Sequence, residues 1–180
     1  CLALGWPTST EVGRRAGSTA GNPAQWAKDA RDAGRLLGAW DEFKRTFVHP
    51  DFQFTADGKL RAEVRDLLEA MAEYPAWAPE QDATGWQRVQ WLYQPFRSLS
   101  RRAVGFAAAH PLLGHGLTQD PAEALALIDQ WTSAASPADT AARTPAEVFV
   151  DDPVTVILFV RQTAAAARPD TDVEGEVHGA

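Results

Sequence analysis

The residues best placed for chemistry are three bases in one short stretch of the chain, Lys28, Arg31 and Arg35. They are spaced by three and four residues, so in a helix they fall together on one face. Such a face suits contact with nucleic-acid phosphates, and Gln25 near the helix start has an amide that pairs with base edges. A plain solvated face stays open as an alternative, because Asp32 is spaced to form intrahelical pairs with Lys28 and Arg35.

Further bases extend this predicted contact with DNA. Lys44 and Arg45 lie at the tip of a predicted hairpin, where they fit a contact with the DNA backbone. A charged hairpin tip is common in any protein, so a surface turn without such a role is the alternative. The full predicted set is Arg14, Arg15, Gln25, Lys28, Arg31, Arg35, Lys44 and Arg45.

The four histidines are scattered rather than grouped. His110 and His115 have no neighbouring cysteine or paired carboxylate, so their spacing does not favour a metal site. His49 precedes a proline and is expected at the surface at a strand end, and His178 lies near the end of the chain. We therefore predict no metal.

The adjacent acids Asp151 and Asp152 have two interpretations. They fit a paired carboxylate site, but Asp152 before Pro153 is more simply a helix N-cap, with a dipole contribution of roughly 0.3–1 kcal/mol. The sequence contains no nucleophile elbow, phosphate-binding loop or Cys-His pair. We predict that the chain is not an enzyme and has no cofactor.

The composition separates a slightly basic first quarter from an acidic remainder. The 180 residues have a net charge of −7, but residues 1–47 hold seven bases and five acids, which leaves −9 for the rest. The single cysteine, Cys1, and the absence of a long apolar run favour a cytoplasmic protein without a membrane span. Since no methionine starts the chain, we expect residues upstream of Cys1. An overall acidic chain does not favour general nucleic-acid binding, whereas the basic first quarter allows a DNA-binding module.

Four predicted helix starts share one pattern, an N-cap acceptor followed three residues later by Glu or Gln: Thr8, Asn22, Asp120 and Thr144. The first two begin short helices at residues 9–16 and 23–33, separated by a turn of small residues. A hairpin with strands at 36–40 and 46–48 is predicted to follow. This order predicts a winged helix-turn-helix.

The rest of the chain is predicted to be mainly helical. The predicted elements are helices at 61–74, 86–109 with a break at Pro95, 121–131, a short helix from 145 and a last helix at 153–166, with a loop at 133–143. The fold class is thus mainly α with a small winged helix-turn-helix. The predicted domains are a DNA-binding module at 1–55, a helical toxin-binding or oligomerisation domain at 56–167 and a disordered acidic tail at 168–180.

A series of short motifs runs along residues 8–165: Thr10-Glu11-Val12, Gln25-Trp26, Gly34-Arg35-Leu36-Leu37-Gly38-Ala39-Trp40, Phe52-Gln53-Phe54, Asp57-Gly58, Trp91-Leu92-x-x-Pro95 and Arg143-Thr144-Pro145-Ala146-Glu147. In this order they resemble antitoxins that carry the Xre/MbcA/ParS-like toxin-binding domain. The chain departs from that pattern in having about forty-five residues, 98–142, between the last two motifs.

The resemblance implies a cytoplasmic oligomer that represses its own operon and neutralises a toxin, commonly of the RES type that consumes or transfers from NAD. It also implies that the second helix enters the major groove and that the helical domain covers the toxin. The predicted partner-binding residues are Trp77, expected to be exposed in a loop between prolines, and Phe149, Phe159 and Arg161 near the last helix. For the two phenylalanines a core position is the alternative.

Two further hypotheses stay open. One is a transcriptional or phage-type DNA-binding regulator whose helical domain serves only for oligomerisation. The other is a hydrolase with a site around His110, His115 and Asp120.

Overall fold

The computed structural model describes residues 5–18, 22–101, 103–104 and 137–167. Over these residues the chain is mainly helical with a small two-stranded antiparallel sheet, as predicted. The helices are α1 (Ser9–Arg15), α2 (Pro23–Asp32), α3 (Val64–Ala72), α4 (Trp86–Leu92), α5 (Pro137–Thr140), α6 (Pro145–Asp151) and α7 (Pro153–Ala166). The strands are β1 (Ala39–Asp41) and β2 (Thr46–Val48), and short 3-10 turns cover Asp51–Gln53, Pro75–Trp77 and Arg97–Leu99.

The chain divides into two compact units. One holds residues up to Arg88 together with those from Val156 onward, and the other holds Val89–Thr155. The predicted boundary after residue 55 lies inside the first unit. The predicted helix at 121–131 and the predicted tail at 168–180 lie outside the described residues. Within the described part of the chain, no helix is both long enough and apolar enough to cross a bilayer.

Reciprocal capping boxes begin α1 and α6, as predicted. The Thr8 side chain accepts from the backbone N–H of Glu11, and the Glu11 carboxylate accepts from the backbone N–H of Thr8 at 2.7 Å. Thr144 and Glu147 repeat this exchange, with the Thr144 N–H donating to the carboxylate at 2.8 Å. Each box satisfies two donors that a helix start otherwise leaves unpaired.

The predicted start of α2 at Asn22 is confirmed, but only half of the predicted box forms. Asn22 Oδ1 accepts from the backbone N–H of Ala24 at 3.1 Å. The Gln25 side chain instead runs along the helix and donates to Asp29 Oδ1 at 2.7 Å. Helix α2 therefore starts where the sequence predicts, with Gln25 on its exposed surface.

Helices α1 and α2 pack closely around a small apolar core made of Val12, Ala27, Ala30 and Leu36. Gly13 lies where the two helices approach each other. A Cβ atom at this position would lie 1.9 Å from the carbonyl oxygen of Pro23, a distance that no side chain tolerates. The close packing of the pair therefore depends on glycine at position 13.

The hairpin that follows has β1 and β2 in a register that places Trp40 opposite Phe47. The first strand begins at Ala39 rather than at the predicted Leu36. The reason is that the N–H and C=O groups of Leu37 form hydrogen bonds with the buried side chains of Gln53 and His49, and not with a neighbouring strand.

Helix α3 has the predicted apolar face, with Val64, Leu67, Leu68 and Met71 buried. It begins three residues after the predicted start at Arg61. The backbone N–H of Arg61 donates to the Gln53 carbonyl at 2.9 Å, which ties this segment to the end of the 3-10 turn at Asp51–Gln53.

Helix α4 ends at Leu92, three residues before the predicted break at Pro95, and residues 101, 103 and 104 are again helical. Pro95 interrupts the helix, and Phe96 then exchanges two backbone hydrogen bonds with Arg143, of 2.9 and 3.2 Å. The last part of this predicted helix, from residue 105, lies outside the described residues.

The prediction of a last helix at 153–166 is confirmed, whereas the prediction of a loop at 133–143 is wrong in part. The carboxylate of Asp152 caps α7 by accepting from the backbone N–H of Thr155 at 3.1 Å and from its hydroxyl at 2.6 Å. This cap outweighs the strand preference of the β-branched run that follows. Pro137–Thr140, predicted as loop, form the single turn of α5, for which a proline in the first position is well suited.

Candidate nucleic-acid interface

The exposed face of α2 carries most of the predicted DNA contacts on that helix. Ala27 and Ala30 are fully buried against α1, whereas Gln25 and Lys28 lie in solvent. Lys28 Nζ lies 2.5 Å from Asp32 Oδ2, and about three fifths of each side chain is exposed. The Asp32 carboxylate raises the pKa of Lys28, and Lys28 lowers the pKa of Asp32, chiefly through their hydrogen bond. Such exposed pairs contribute little to stability, so the Lys28 ammonium stays available to a stronger anion.

Arg31 is less exposed than Lys28, because its side chain packs against the hairpin, and its contact with DNA stays a prediction. Its guanidinium carbon lies 3.9 Å from the centroid of the Phe47 ring, and one nitrogen donates to Ser9 Oγ at 3.3 Å. Burial lowers the pKa of Arg31. The side chain therefore connects α2 with β2 and α1. Helical spacing alone missed this because the hairpin packs beside α2.

Arg35 is exposed, as predicted, but it does not belong to α2. The helix ends at Asp32, and Gly34 adopts a positive φ of 64° that reverses the chain. The backbone N–H of Arg35 then donates to the Ala30 carbonyl at 2.8 Å. Arg35 thus projects from the C-terminal turn beyond the helix.

The hairpin tip exposes Lys44 and Arg45, as predicted. Asp41 Oδ1 accepts from the backbone N–H groups of Phe43 and Lys44, both at 3.0 Å, and Lys44 Nζ lies 3.8 Å from Asp41 Oδ2. Arg45 adopts a left-handed φ of 50°. The tip also carries Phe43, whose side chain is fully exposed and which the sequence prediction missed.

The basic residues of α1 are also exposed, and Arg15 acts on the same carboxylate as Lys44 of the hairpin tip. Arg14 and Arg15 form the last turn of α1. The pKa of Glu11 is lowered chiefly by its hydrogen bonds with Thr8, and the charges of Arg15 and Lys44 lower it further. Bases from α1 and from the hairpin are therefore close enough to act on one carboxylate.

A buried polar cluster holds this region together, and sequence patterns did not reveal it. Gln53 is fully buried: its Oε1 accepts from the Leu37 N–H at 2.6 Å, and its Nε2 donates to the carbonyls of Leu37 at 3.0 Å and Pro50 at 3.1 Å. His49, expected at the surface, is also fully buried. Its Nδ1 lies 2.9 Å from the Leu37 carbonyl and its Nε2 lies 3.2 Å from Ser9 Oγ.

The surroundings of His49 keep it neutral at physiological pH. Burial lowers its pKa from 6.5 to about 4, with a contribution from the charge of Arg31 that the hydrogen bond to the Leu37 carbonyl opposes. A neutral imidazole in this position donates through Nδ1–H to that carbonyl and accepts from the Ser9 hydroxyl through Nε2. The cluster joins α1, the hairpin and the segment between α2 and β1.

A groove of about 680 Å³ lies between α2, the hairpin and α3. Its charged lining carries both signs, and four of the lining residues form two ion pairs: Lys28 with Asp32, and Arg88 with Asp82 at 3.0 Å. The nearly buried Asp82 carboxylate also accepts from the backbone N–H groups of Gln87 and Arg88, which begin α4. These contacts make Asp82 a helix cap.

Two of the four predicted partner-binding residues are not at the surface. Trp77 is 6% exposed, because the 3-10 turn at Pro75–Trp77 folds the indole inward, with its ring centroid 4.4 Å from that of Tyr74. The expectation that Trp77 is exposed is therefore wrong. Phe149 is fully buried in α6, which agrees with the core alternative.

The other two partner-binding residues lie on α7. Phe159 is partly exposed, and Arg161 is exposed with its Nε 3.7 Å from Glu73 Oε1. Two large apolar side chains of α7 are exposed, those of Val154 and Leu158, which lie one turn apart. Neither was among the predicted partner-binding residues.

Residues weighed for catalysis or metal binding fall in three groups. His110, His115 and Asp120 lie outside the described residues. Asp152 is a helix cap, and Asp151 pairs with Arg143 at 3.3 Å. Across residues 5–104 and 137–167, apart from the gaps already given, no three His, Cys, Asp or Glu side chains are grouped as metal ligands.

The chain was also compared with known proteins. No protein-family model, curated protein or solved structure matches it significantly.

Proposed function

We propose that the protein is an antitoxin-like DNA-binding protein. In this proposal α1, α2 and the hairpin act as a winged helix-turn-helix on operator DNA, and the helical remainder neutralises a partner toxin. The resemblance described above adds that the toxin is of the RES type and that the protein acts in the cytoplasm as an oligomer.

The observation that carries the DNA-binding part is the division of α2 into two faces. Ala27 and Ala30 pack against α1, while Gln25 and Lys28 project away from it. With ten residues, α2 is about 15 Å long, a length that fits the major groove. A helix held firmly by one face, with amide and ammonium groups on the other, is suited to contact base edges and phosphates.

The attachment of the hairpin supports the same proposal. Arg31 of α2 lies on the Phe47 ring, Thr8 and Val48 form a β-bridge, and the His49 N–H donates to the Pro7 carbonyl at 2.9 Å. These contacts hold the hairpin firmly beside the helix pair. A wing must be fixed in this way if its tip and the recognition helix are to contact one duplex.

Support for the toxin-binding part comes from the resemblance and from the surface of α7. Leu158 is 52% exposed and Val154 is 63% exposed on that helix, with the charged Arg161 close by. Exposed aliphatic side chains beside an arginine are typical of a surface that contacts protein. The regulator hypothesis shares the DNA-binding part and lacks this one.

DNA binding is tested with a duplex taken from upstream of the protein's own coding sequence and a scrambled duplex of equal length. We expect the wild type to prefer the first. Lys28→Ala should weaken binding to both duplexes alike, because it removes a phosphate contact, whereas Gln25→Ala should reduce the preference between them. Arg97→Ala, an exposed arginine of the other unit, is the charge-matched control. Equal affinity of wild type and Lys28→Ala would contradict the placement of α2 on DNA.

Toxin binding is tested by co-expression with the product of the neighbouring gene. We expect a stable complex and rescue of growth, and we expect Leu158→Ser with Val154→Ser to lose both. These two substitutions should leave DNA affinity unchanged. DNA binding by a chain that neither binds nor counteracts that product would instead support the regulator hypothesis.

A further inference from the structure

The hairpin tip presents an aromatic ring to solvent. The side chain of Phe43 is fully exposed, whereas the other large apolar side chains found exposed are between 42% and 63% accessible. Phenylalanine is among the residues most often buried, so complete exposure of its ring is unusual for a soluble protein. The ring adds no buried apolar surface to the fold.

The backbone that carries Phe43 is held in place. Asp41 Oδ1 accepts from the N–H groups of Phe43 and Lys44, and Arg45 closes the turn in the left-handed region with a φ of 50°. A side chain on a preformed turn loses less entropy on binding than one on a loop that must first be ordered. The tip is thus preorganised to present one ring.

The neighbours of Phe43 favour nucleic acid over protein as the partner. Lys44 and Arg45 follow the ring directly, and part of the charge of Asp41 is taken up by Lys44 and by the two N–H groups. Protein interfaces bury a cluster of apolar residues and are depleted of charge at their centre, which does not describe this tip. An isolated ring followed by two cations is suited to base stacking beside phosphates.

We propose that Phe43 is an intercalating residue of the wing. In the complex its ring enters a base step from the minor groove and partly unstacks that step, while Lys44 and Arg45 contact the adjacent phosphates. Glu42, exposed at the same tip, opposes this contact through its charge. The proposal rests on the proposed DNA binding and adds deformation of the duplex to it.

The test uses the full chain and the upstream duplex, cut to about 30 base pairs or close to three helical turns, with 2-aminopurine placed at successive steps. Binding of the wild type should raise the fluorescence at one step or a few adjacent steps, because unstacking relieves quenching. Phe43→Ala should lose this rise and weaken affinity about tenfold. The dependence of affinity on salt should be unchanged, because phenylalanine displaces no counterions. Phe43→Leu, which keeps an apolar wedge, should retain part of both effects, and Glu42→Gln should tighten binding.

Three results would overturn the proposal. One is a Phe43→Ala variant that binds with wild-type affinity and an unchanged fluorescence rise. Another is a wild type that binds the duplex with no rise at any step. The third is a Phe43→Ala variant that keeps DNA binding but loses the complex with the neighbouring gene product, which would assign the ring to a protein contact. Failure of the wild type to bind any duplex would instead refute the proposed function itself. The thermal midpoint of Phe43→Ala should match that of the wild type and exclude misfolding.

Discussion

The region of α1, α2 and the hairpin and the region of α6 and α7 are built on the same helix-start chemistry but differ in what they expose. Both begin with a Thr–Glu capping box. The first region hides its aliphatic residues and exposes bases, amides and one aromatic ring, whereas the second exposes Val150, Val154 and Leu158.

The difference extends to the interiors. In the first region the buried side chains of His49 and Gln53 form hydrogen bonds with backbone groups of Leu37 and Pro50. These bonds fix the position of the backbone. Described core residues of α6 and α7, such as Val148, Phe149 and Val156, are apolar. Directed hydrogen bonds allow little adjustment, which suits a surface that must match a duplex, while an apolar core with exposed aliphatic residues suits a protein partner. Two substitutions and a change of pH test this difference, because each should affect the first region more than the second.

The largest expected effect is that of Gly13→Ala. The new Cβ would lie 1.9 Å from the Pro23 carbonyl oxygen, so α1 and α2 must separate, at a cost of about 4 kcal/mol. DNA binding should be lost, while binding of the neighbouring gene product through α7 should persist. Gly17→Ala is the matched control. The φ of Gly17 is +73°, but a Cβ atom at this position would meet no atom within 4 Å, so the substitution should lower the free energy of unfolding by only about 1 kcal/mol. Urea unfolding measures both. Equal stability of the two variants would contradict the close helix approach.

A smaller loss is expected for Gln53→Leu. The substitution removes three hydrogen bonds and leaves the N–H of Leu37 without its partner in the interior, which should cost about 3 kcal/mol. Gln25→Leu, on the exposed face of α2, should change the free energy of unfolding by less than about 0.5 kcal/mol. The comparison fails if both glutamines tolerate leucine equally well.

The third effect is a dependence of stability on pH. The pKa of His49 is about 4 in the folded chain and near 6.5 when unfolded, so the unfolded chain binds more protons between these values. The neutral His49 side chain makes its full contribution to the free energy of unfolding above pH 6.5, and this contribution is lost as the pH falls towards 4. About 2 kcal/mol is lost by pH 5. Urea unfolding at pH 8 and pH 5 measures this change, and His49→Gln should reduce it. Identical pH dependence for the two proteins would show that His49 is not held neutral.

The parts of the fold that the sequence predicted are those governed by local chemistry. The N-caps at Thr8, Asn22, Thr144 and Asp152 depend on residues within three or four positions, and all four begin helices in the structure. The apolar spacing of α3 likewise predicted its buried face.

The errors arise where distant parts of the chain meet. His49 is buried because Leu37 and Ser9 satisfy its nitrogens, and Arg31 is partly buried because its guanidinium lies over the Phe47 ring. None of these three partners lies within one helical turn of the residue that it contacts. The exposure of the Phe43 ring was missed for a different reason. It follows from a local turn in which Asp41 accepts from the Phe43 N–H, whereas composition predicts that a phenylalanine is buried.

The central claim, that the first region binds DNA through α2 and the wing, is tested most directly by the salt dependence of binding. Fluorescence anisotropy of the labelled upstream duplex is measured between about 50 and 200 mM salt for the wild type, Lys28→Ala, Lys44→Ala and Arg97→Ala. We expect the logarithm of the affinity to fall linearly with the logarithm of salt concentration. The slope should be flatter by about 0.9 for each of the first two variants and unchanged for the third. Wild-type slopes for Lys28→Ala and Lys44→Ala, or no binding by the wild type, would contradict the claim.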